Sequence, residues 1–177
     1  MDDLEQYGRR TSVRVEGLEF VEGETADGLF EKVRSNLEKV DIDLKETDVI
    51  RMHRSAKPVE KNGKVTAQTI IKMSNWKIRE RMQGVNKACR AKKLSFRVNG
   101  DLTARRYKLL ASARERIFSM LSRKYSKELI AKLPDEENVF AFANVNSKLR
   151  IRARKQIFKF NNEEQLDKII REVFPVG

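Results

Sequence analysis

Hydrophobic periodicity between residues 12 and 100 constrains this fold more than any other feature of the sequence, because it switches repeatedly between a period of two and a period near 3.6. SVRVEGL (12–18) alternates, with Val13 and Val15 on one side and Arg14 and Glu16 on the other, which predicts a strand. Thr25 can cap a helix whose apolar positions Leu29, Phe30, Val33, Leu37 and Val40 recur at helical spacing. TDVIRMHRS (47–55) and AQTIIKM (67–73) read as strands, and the Asn62-Gly63 pair between them is a hairpin signal, so these two strands are expected to be antiparallel neighbours. Ser74 or Asn75 caps a second helix with Ile78, Met82, Val85 and Cys89 inward, and KLSFRVNG (93–100) is a fourth strand.

The order βαββαβ predicts a ferredoxin-like α+β domain over 12–100. Asn99-Gly100-Asp101 punctuates the chain, and 101–177 reads as a small α+β domain of its own. It begins with a helix capped by Asp101 or Thr103, running to about Ala131 with a break near Tyr125 and stopped by Pro134. NVFAFA (138–143), a turn at Asn144-Val145-Asn146 and SKLRIRA (147–153) form an expected hairpin, and IFKF (157–160) a further strand. Asn161 or Asn162 caps a last helix carrying Leu166, Ile169, Ile170 and Val173.

Two basic patterns stand out against this framework. On the helix DLTARRYKLLASARERI, Tyr107, Leu110, Ala113, Ile117 and Leu121 share a face at about 100° per residue, with Arg105, Lys108 and Arg116 pointing away. Arg106 and Arg114 project into the apolar arc, where an unpaired guanidinium is very costly. Phosphate at a cleft between the two domains is the expected partner of Arg106, and Glu136 or Glu137 an equally good partner for Arg114. In SKLRIRAR, a period of two puts Lys148, Arg150, Arg152 and Arg154 in one row, opposite Leu149, Ile151 and Ala153. Such a row suits phosphate contacts; the structural alternative is an edge strand guarded against aggregation.

Charge is segregated along the chain. Residues 1–50 hold 7 of the 38 Lys and Arg but 14 of the 26 Asp and Glu, whereas residues 51–131 hold 22 basic and 5 acidic side chains. With a net charge of +12, this is the footprint of a protein with a polyanionic partner. No run approaches the roughly 18 to 20 apolar residues of a membrane span, so no membrane partner is expected. MDDLEQYGRR does not read as a signal peptide, and the single cysteine, Cys89, suits a reducing intracellular compartment.

A βαββαβ domain in a basic chain points to an RNA-recognition motif, which normally stacks bases on aromatics of its central strands. Here Arg14 stands at the aromatic position of the first strand. Gln68 and Ile70 stand at those of the third, beside an outward Lys72. The sheet is therefore expected to contact phosphates and form hydrogen bonds. His53, the only histidine, reads as structural or hydrogen-bonding, Cys89 as a small buried hydrophobe, and Trp76 as packing at a helix entrance. The competing reading is a metal-dependent nuclease on a ferredoxin-like core, using Asp101 or the Asp135-Glu136-Glu137 cluster.

The segments LEQYGRRTSVRVEGL, VIRMHRSAKP, TIIKMSNWKIRERMQGVNKACR and FRVNGDLTARRYKLL, in this order, resemble the RNA-binding first open-reading-frame protein of LINE-type retrotransposons. The resemblance covers nearly the whole chain. It implies a non-sequence-specific RNA-binding protein and nucleic-acid chaperone, with a trimerising coiled coil, an atypical RNA-recognition motif and a C-terminal domain. On it, 1–11 is the end of a truncated coiled coil and linker, 12–100 the recognition motif and 101–177 the C-terminal nucleic-acid-binding domain. It places Arg14, Arg81, Arg90, Arg105, Arg106 and Tyr125 at or near the nucleic acid, and it marks Gln68 as replacing a basic residue common at that point.

The expectation is thus a binder of single-stranded RNA, and of single-stranded DNA, that packages retrotransposon RNA into a cytoplasmic ribonucleoprotein with access to the nucleus. It needs no cofactor, no metal and no catalytic residue, and it trimerises through an upstream coiled coil.

Overall fold

Asp2–Gly8 forms a short helix, α1, followed by strand β1 at Ser12–Glu16. The computed structural model describes residues 2–144 and 147–176. The chain divides into two compact units, Tyr7–Asp101 and Leu102–Gly177 together with Met1–Gln6. Compared with the expected boundaries, the junction falls after Asp101, and the stretch expected as a coiled-coil end is shared between the two units.

In the first unit, β1 leads into α2 (Ala26–Glu38), which Thr25 caps by accepting a hydrogen bond from the Gly28 amide. Strand β2 (Val49–Arg54) follows, then β3 (Val59–Lys61), β4 (Lys64–Thr66) and β5 (Thr69–Met73). Two short helices, α3 (Trp76–Glu80) and α4 (Val85–Ala91), precede β6 (Arg97–Gly100). The four-stranded antiparallel sheet has the order β2-β5-β1-β6. Val13, Val15, Ile71, Met73 and Val98 point to one side of it, where they bury against Leu29, Val33, Leu37, Ile78, Met82, Val85 and Cys89.

β2 and β5 are antiparallel neighbours, as expected, but three details are corrected. The Asn62-Gly63 turn, with φ of 54° and 75°, joins β3 to β4 in a separate two-stranded ribbon. Positive φ at both positions matches the twist of a tight hairpin, so the pair folds its own flanks and leaves β2 and β5 to meet through a longer excursion. The second helix is broken, because Gly84 takes a φ of 78° between α3 and α4. Its inward residues stay buried nonetheless. The fourth strand starts only at Arg97, since the chain must first pass Lys93 at φ 55°. Glycine is required at position 17, where φ is +84° and a Cβ would overlap the Ser95 carbonyl oxygen.

Arg54 locks this unit together. Its guanidinium meets the Glu24 carboxylate at 2.9 and 3.1 Å and donates to the Ala67 carbonyl at 2.6 Å. The hydrogen bonds from Arg54 hold the Glu24 carboxyl below the usual carboxylate range, against the opposing effect of burial and with help from Lys32.

The second unit opens with α5 (Ala104–Leu121), capped by Thr103, and continues with α6 (Lys127–Ile130). Strands β7 (Val139–Ala143), β8 (Leu149–Ala153) and β9 (Gln156–Lys159) form an antiparallel sheet in that order, and α7 (Glu163–Val173) follows, capped by Asn162. Leu109, Leu110, Ala113, Ile117 and Leu121 of α5 pack with Val139, Ala141, Ile151, Phe160 and Leu166. The long helix breaks after Leu121, close to the expected break near Tyr125, and its continuation α6 ends at Ile130, next to the expected stop at about Ala131. The expected turn at Asn144-Val145-Asn146 falls, at Val145 and Asn146, outside the described residues.

Tyr107 corrects the helix reading: it is 63% exposed, and Leu109 is buried in its stead. The buried arc is centred near Ala113 and Ile117 and reaches back to Leu109, which leaves Tyr107 beyond its far edge. Arg106 lies close to the centre of that arc.

Candidate nucleic-acid interface

Thr103 starts α5 by accepting from the Arg106 amide at 3.3 Å, so Arg105 and Arg106 both project from its first turn. That turn, the start of β8, the end of β9 and the Asn161-Asn162 cap of α7 line one groove of about 400 Å³. Arg105, Arg106, Lys148 and Arg150 converge there, joined by Lys159. Four expected phosphate contacts, distant in sequence, thus share one site. Lys159 was not expected, although the alternation of IFKF places it opposite the inward Phe158 and Phe160.

The groove has two acidic occupants, and they correct the account of Arg106. Its Nε donates to Asp2 Oδ2 at 3.0 Å, its Nη2 to Asp3 Oδ1 at 2.7 Å and its Nη1 to the Ser147 carbonyl at 3.2 Å. In place of the expected phosphate, its partner is a pair of carboxylates on α1. Burial pushes the Asp2 carboxyl up, but the Thr103 hydroxyl and the Arg106 guanidinium outweigh it and hold the group below its ordinary value. Arg105 is more open, with Asp2 at 3.9 Å. Arg114 is exposed and donates Nε to the Ala141 carbonyl at 3.2 Å, so neither Glu136 nor Glu137 is its partner.

The basic row is partly retained. β8 is the central strand of its sheet, which removes the edge-protection reading. Arg150 and Arg152 stand on the face opposite the core, with Asp135 3.7 Å from Arg152. Lys148 precedes the strand and is exposed. Arg154 leaves the row, because at φ 57° it forms the β8–β9 turn, where strand alternation no longer holds. It lines a second cavity, of about 360 Å³, with Lys124, Tyr125, Glu137 and Phe174. There Tyr125 donates its hydroxyl to Glu137 Oε2 at 2.6 Å.

In the first unit the sheet face away from the core is polar. Register sets Arg14 beside Ile70 and Asn99, Ile70 beside His53, and Lys72 beside Ser12 and Arg51; opposed residues of an antiparallel pair share a face. Among the described side chains this face carries no aromatic ring in those rows, as the sequence predicts. Arg14 is tied down, donating Nε to Asp101 Oδ1 and Nη1 to Gln68 Oε1, each at 2.8 Å. Lys72 is half-buried, and Arg51 is exposed. Arg51 was missed, although its alternation with Met52 in VIRMHR marks it. Arg81 donates to Asp48 at 3.1 Å, whereas Arg90 lies exposed on α4. Trp76 is 47% exposed, so it does not pack at the helix entrance as expected.

Asp101, a proposed metal ligand in the nuclease reading, is buried and accepts from Arg9 at 3.1 Å as well as from Arg14. Among the described residues no group of three or more His, Cys, Asp or Glu side chains is placed to hold a metal ion. Cys89 is fully buried, and burial pushes its thiol pKa up against the influence of Arg97 and Arg90. None of the described helices is long and apolar enough to cross a membrane. Comparison of the chain with models of known protein families found no match, and comparison with curated proteins found none either.

Proposed function

We propose that this chain binds single-stranded RNA and DNA through their phosphates, without reading base sequence, and acts as a nucleic-acid chaperone. In this reading the Tyr7–Asp101 unit is a ferredoxin-like RNA-recognition motif that has exchanged stacking aromatics for polar groups. The unit from Leu102 onward is the C-terminal nucleic-acid-binding domain of a LINE-type first open-reading-frame protein. Its role is to package retrotransposon RNA into a ribonucleoprotein in the cytoplasm, with access to the nucleus. Trimers assemble through a coiled coil upstream.

The observation that carries this reading is the convergence of Arg105, Arg106, Lys148, Arg150 and Lys159 in one groove. Guanidinium forks and ammonium groups are the side chains that phosphate recruits, and backbone contacts of this kind carry little sequence information. Many weak contacts also exchange quickly, which lets bases find better partners.

Filter binding to single-stranded RNA, single-stranded DNA and duplex over a range of KCl tests the proposal. With roughly 5 to 8 phosphates neutralised, log affinity for single strands falls against log salt with a slope of about −3.5 to −5.5. A slope near zero, or a several-hundredfold preference between unrelated RNAs of equal length, overturns it.

A further inference from the structure

The sheet of the second unit buries one face and leaves the other uncovered by its own helices. Val139, Ala141, Leu149, Ile151 and Ala153 point into the core. The opposite face carries two cross-strand rows: Phe140, Arg152 and Ile157 in one, Phe142, Arg150 and Lys159 in the next. The phenyl rings of Phe140 and Phe142 lie 5.6 Å apart, tilted by 41°. Phe140 is 39% and Ile157 60% exposed, on the side away from the apolar core that aromatic side chains normally join.

We propose that this face is a base-stacking platform for single-stranded nucleic acid, with bases on Phe142 and Phe140 and the sugar-phosphate chain along Arg150, Arg152 and Lys159. The proposal rests on the phosphate-binding reading above and adds to it a contact with the bases. Continuity supports it, because Arg150 lies beside Phe142, Lys159 lies beyond Arg150 in the same cross-strand row, and both cations also line the basic groove. A strand whose phosphates follow the groove therefore brings its bases over the aromatic row. Charge supports it too: three cations in two rows are costly to bury against an apolar protein partner and attract a polyanion. Every base has a π face, so such a platform tolerates any sequence, and each stacked base is worth about 5- to 150-fold in affinity. The platform also supplies, in the second unit, the stacking that the polar sheet of the first unit lacks.

The experiment compares a single-stranded oligonucleotide with an abasic deoxyribose-phosphate oligomer of the same length, at one salt concentration. The unsubstituted chain is expected to prefer the base-bearing strand by at least about fivefold. The double variant Phe140→Leu/Phe142→Leu keeps apolar bulk but has no π face; it is expected to bind both strands as the unsubstituted chain binds the abasic one, with an unchanged salt slope. Phe140→Leu/Phe142→Trp, which regains one π face, is expected to recover part of the preference. Should the leucine variant fail to fold, Phe142→Trp with Trp76→Phe carries the test, since its single indole is expected to be quenched by the base-bearing strand and not by the abasic one. Equal, salt-dependent binding of both strands by the unsubstituted chain overturns the platform and leaves phosphate binding standing. A preference that survives both leucine substitutions also overturns the platform. Binding of neither strand overturns both readings.

Discussion

Arg106 on the first turn of α5 and Asp2 on α1 form an ion pair with Nε 3.0 Å from Oδ2, although 104 positions separate them in the chain. Asp3 takes a second guanidinium nitrogen at 2.7 Å. The carboxylates thus sit in the groove where the proposed function puts phosphate. They satisfy the guanidinium in the same way, as acceptors for a planar donor fork.

Asp2 and Asp3 therefore compete with nucleic acid for the groove. Asp2→Asn with Asp3→Asn is expected to tighten binding to single-stranded RNA about 3- to 10-fold at low salt, consistent with removing roughly 1 kcal/mol of competition from one largely buried and one exposed carboxylate. The gain should shrink as salt rises, because screening weakens the same contacts. Titrations at two KCl concentrations check this; unchanged affinity at both shows that the aspartates do not obstruct the ligand.

Arg106→Ala leaves Asp2 without its guanidinium in a site where its side chain is only 15% exposed. The second unit should lose about 1 to 3 kcal/mol of stability, read as a lower midpoint in urea. Arg106→Lys recovers part of this, since ammonium keeps the charge and loses the fork. Lys108→Ala, on an exposed position of the same helix, should change stability by no more than about 0.5 kcal/mol.

The Glu24–Arg54 pair makes the first unit acid-sensitive. The folded-state pKa of Glu24 lies below its unfolded value, so the stability it contributes is complete above the unfolded value and fades as pH falls through the folded one. Glu24→Gln should lower stability near pH 7 and flatten its dependence on pH below about 5. Urea midpoints measured from pH 3 to 7 decide the matter, and parallel curves for the two chains would refute this assignment.

Gly17→Ala should destabilise the first unit by about 2 kcal/mol, since the new Cβ meets backbone and the φ of +84° is strained for any L side chain. Gly23→Ala, at φ +76° but with open space around it, isolates the conformational part of that cost. A loss at position 17 no greater than that at position 23 would show that the backbone at Ser95 yields.

Local signals were legible wherever one residue type has one physical use. Thr25, Thr103 and Asn162 cap helices because their side-chain oxygens reach orphan amides, and the apolar positions of α2 and α5 find the core because burial selects them. The Asn62-Gly63 turn was legible as a turn but assigned to the wrong strands, because a turn signal says how the chain reverses and not which strands it joins. The polar sheet face could be read from Arg14, Gln68, Ile70 and Lys72. The aromatic one, on Phe140 and Phe142, could not, since alternating apolar residues in VFAFA look the same whether their side chains enter the core or leave it.

The succession of the main strands and helices, the two cores and the segregation of positive charge follow from periodicity, capping or composition over a few neighbouring residues, whereas the β3–β4 ribbon and the helix break at Gly84 were not legible in that way. The tertiary structure alone decided which cations meet. Arg105, Arg106, Lys148, Arg150 and Lys159 share a groove because α5, β8 and β9 come together, and Arg106 finds its carboxylates at the start of the chain. Charges act through space, and the sequence records separation only along the chain. A guanidinium at the centre of a buried arc therefore announces that it needs a partner, while only the folded chain can say whether that partner is an aspartate or a phosphate.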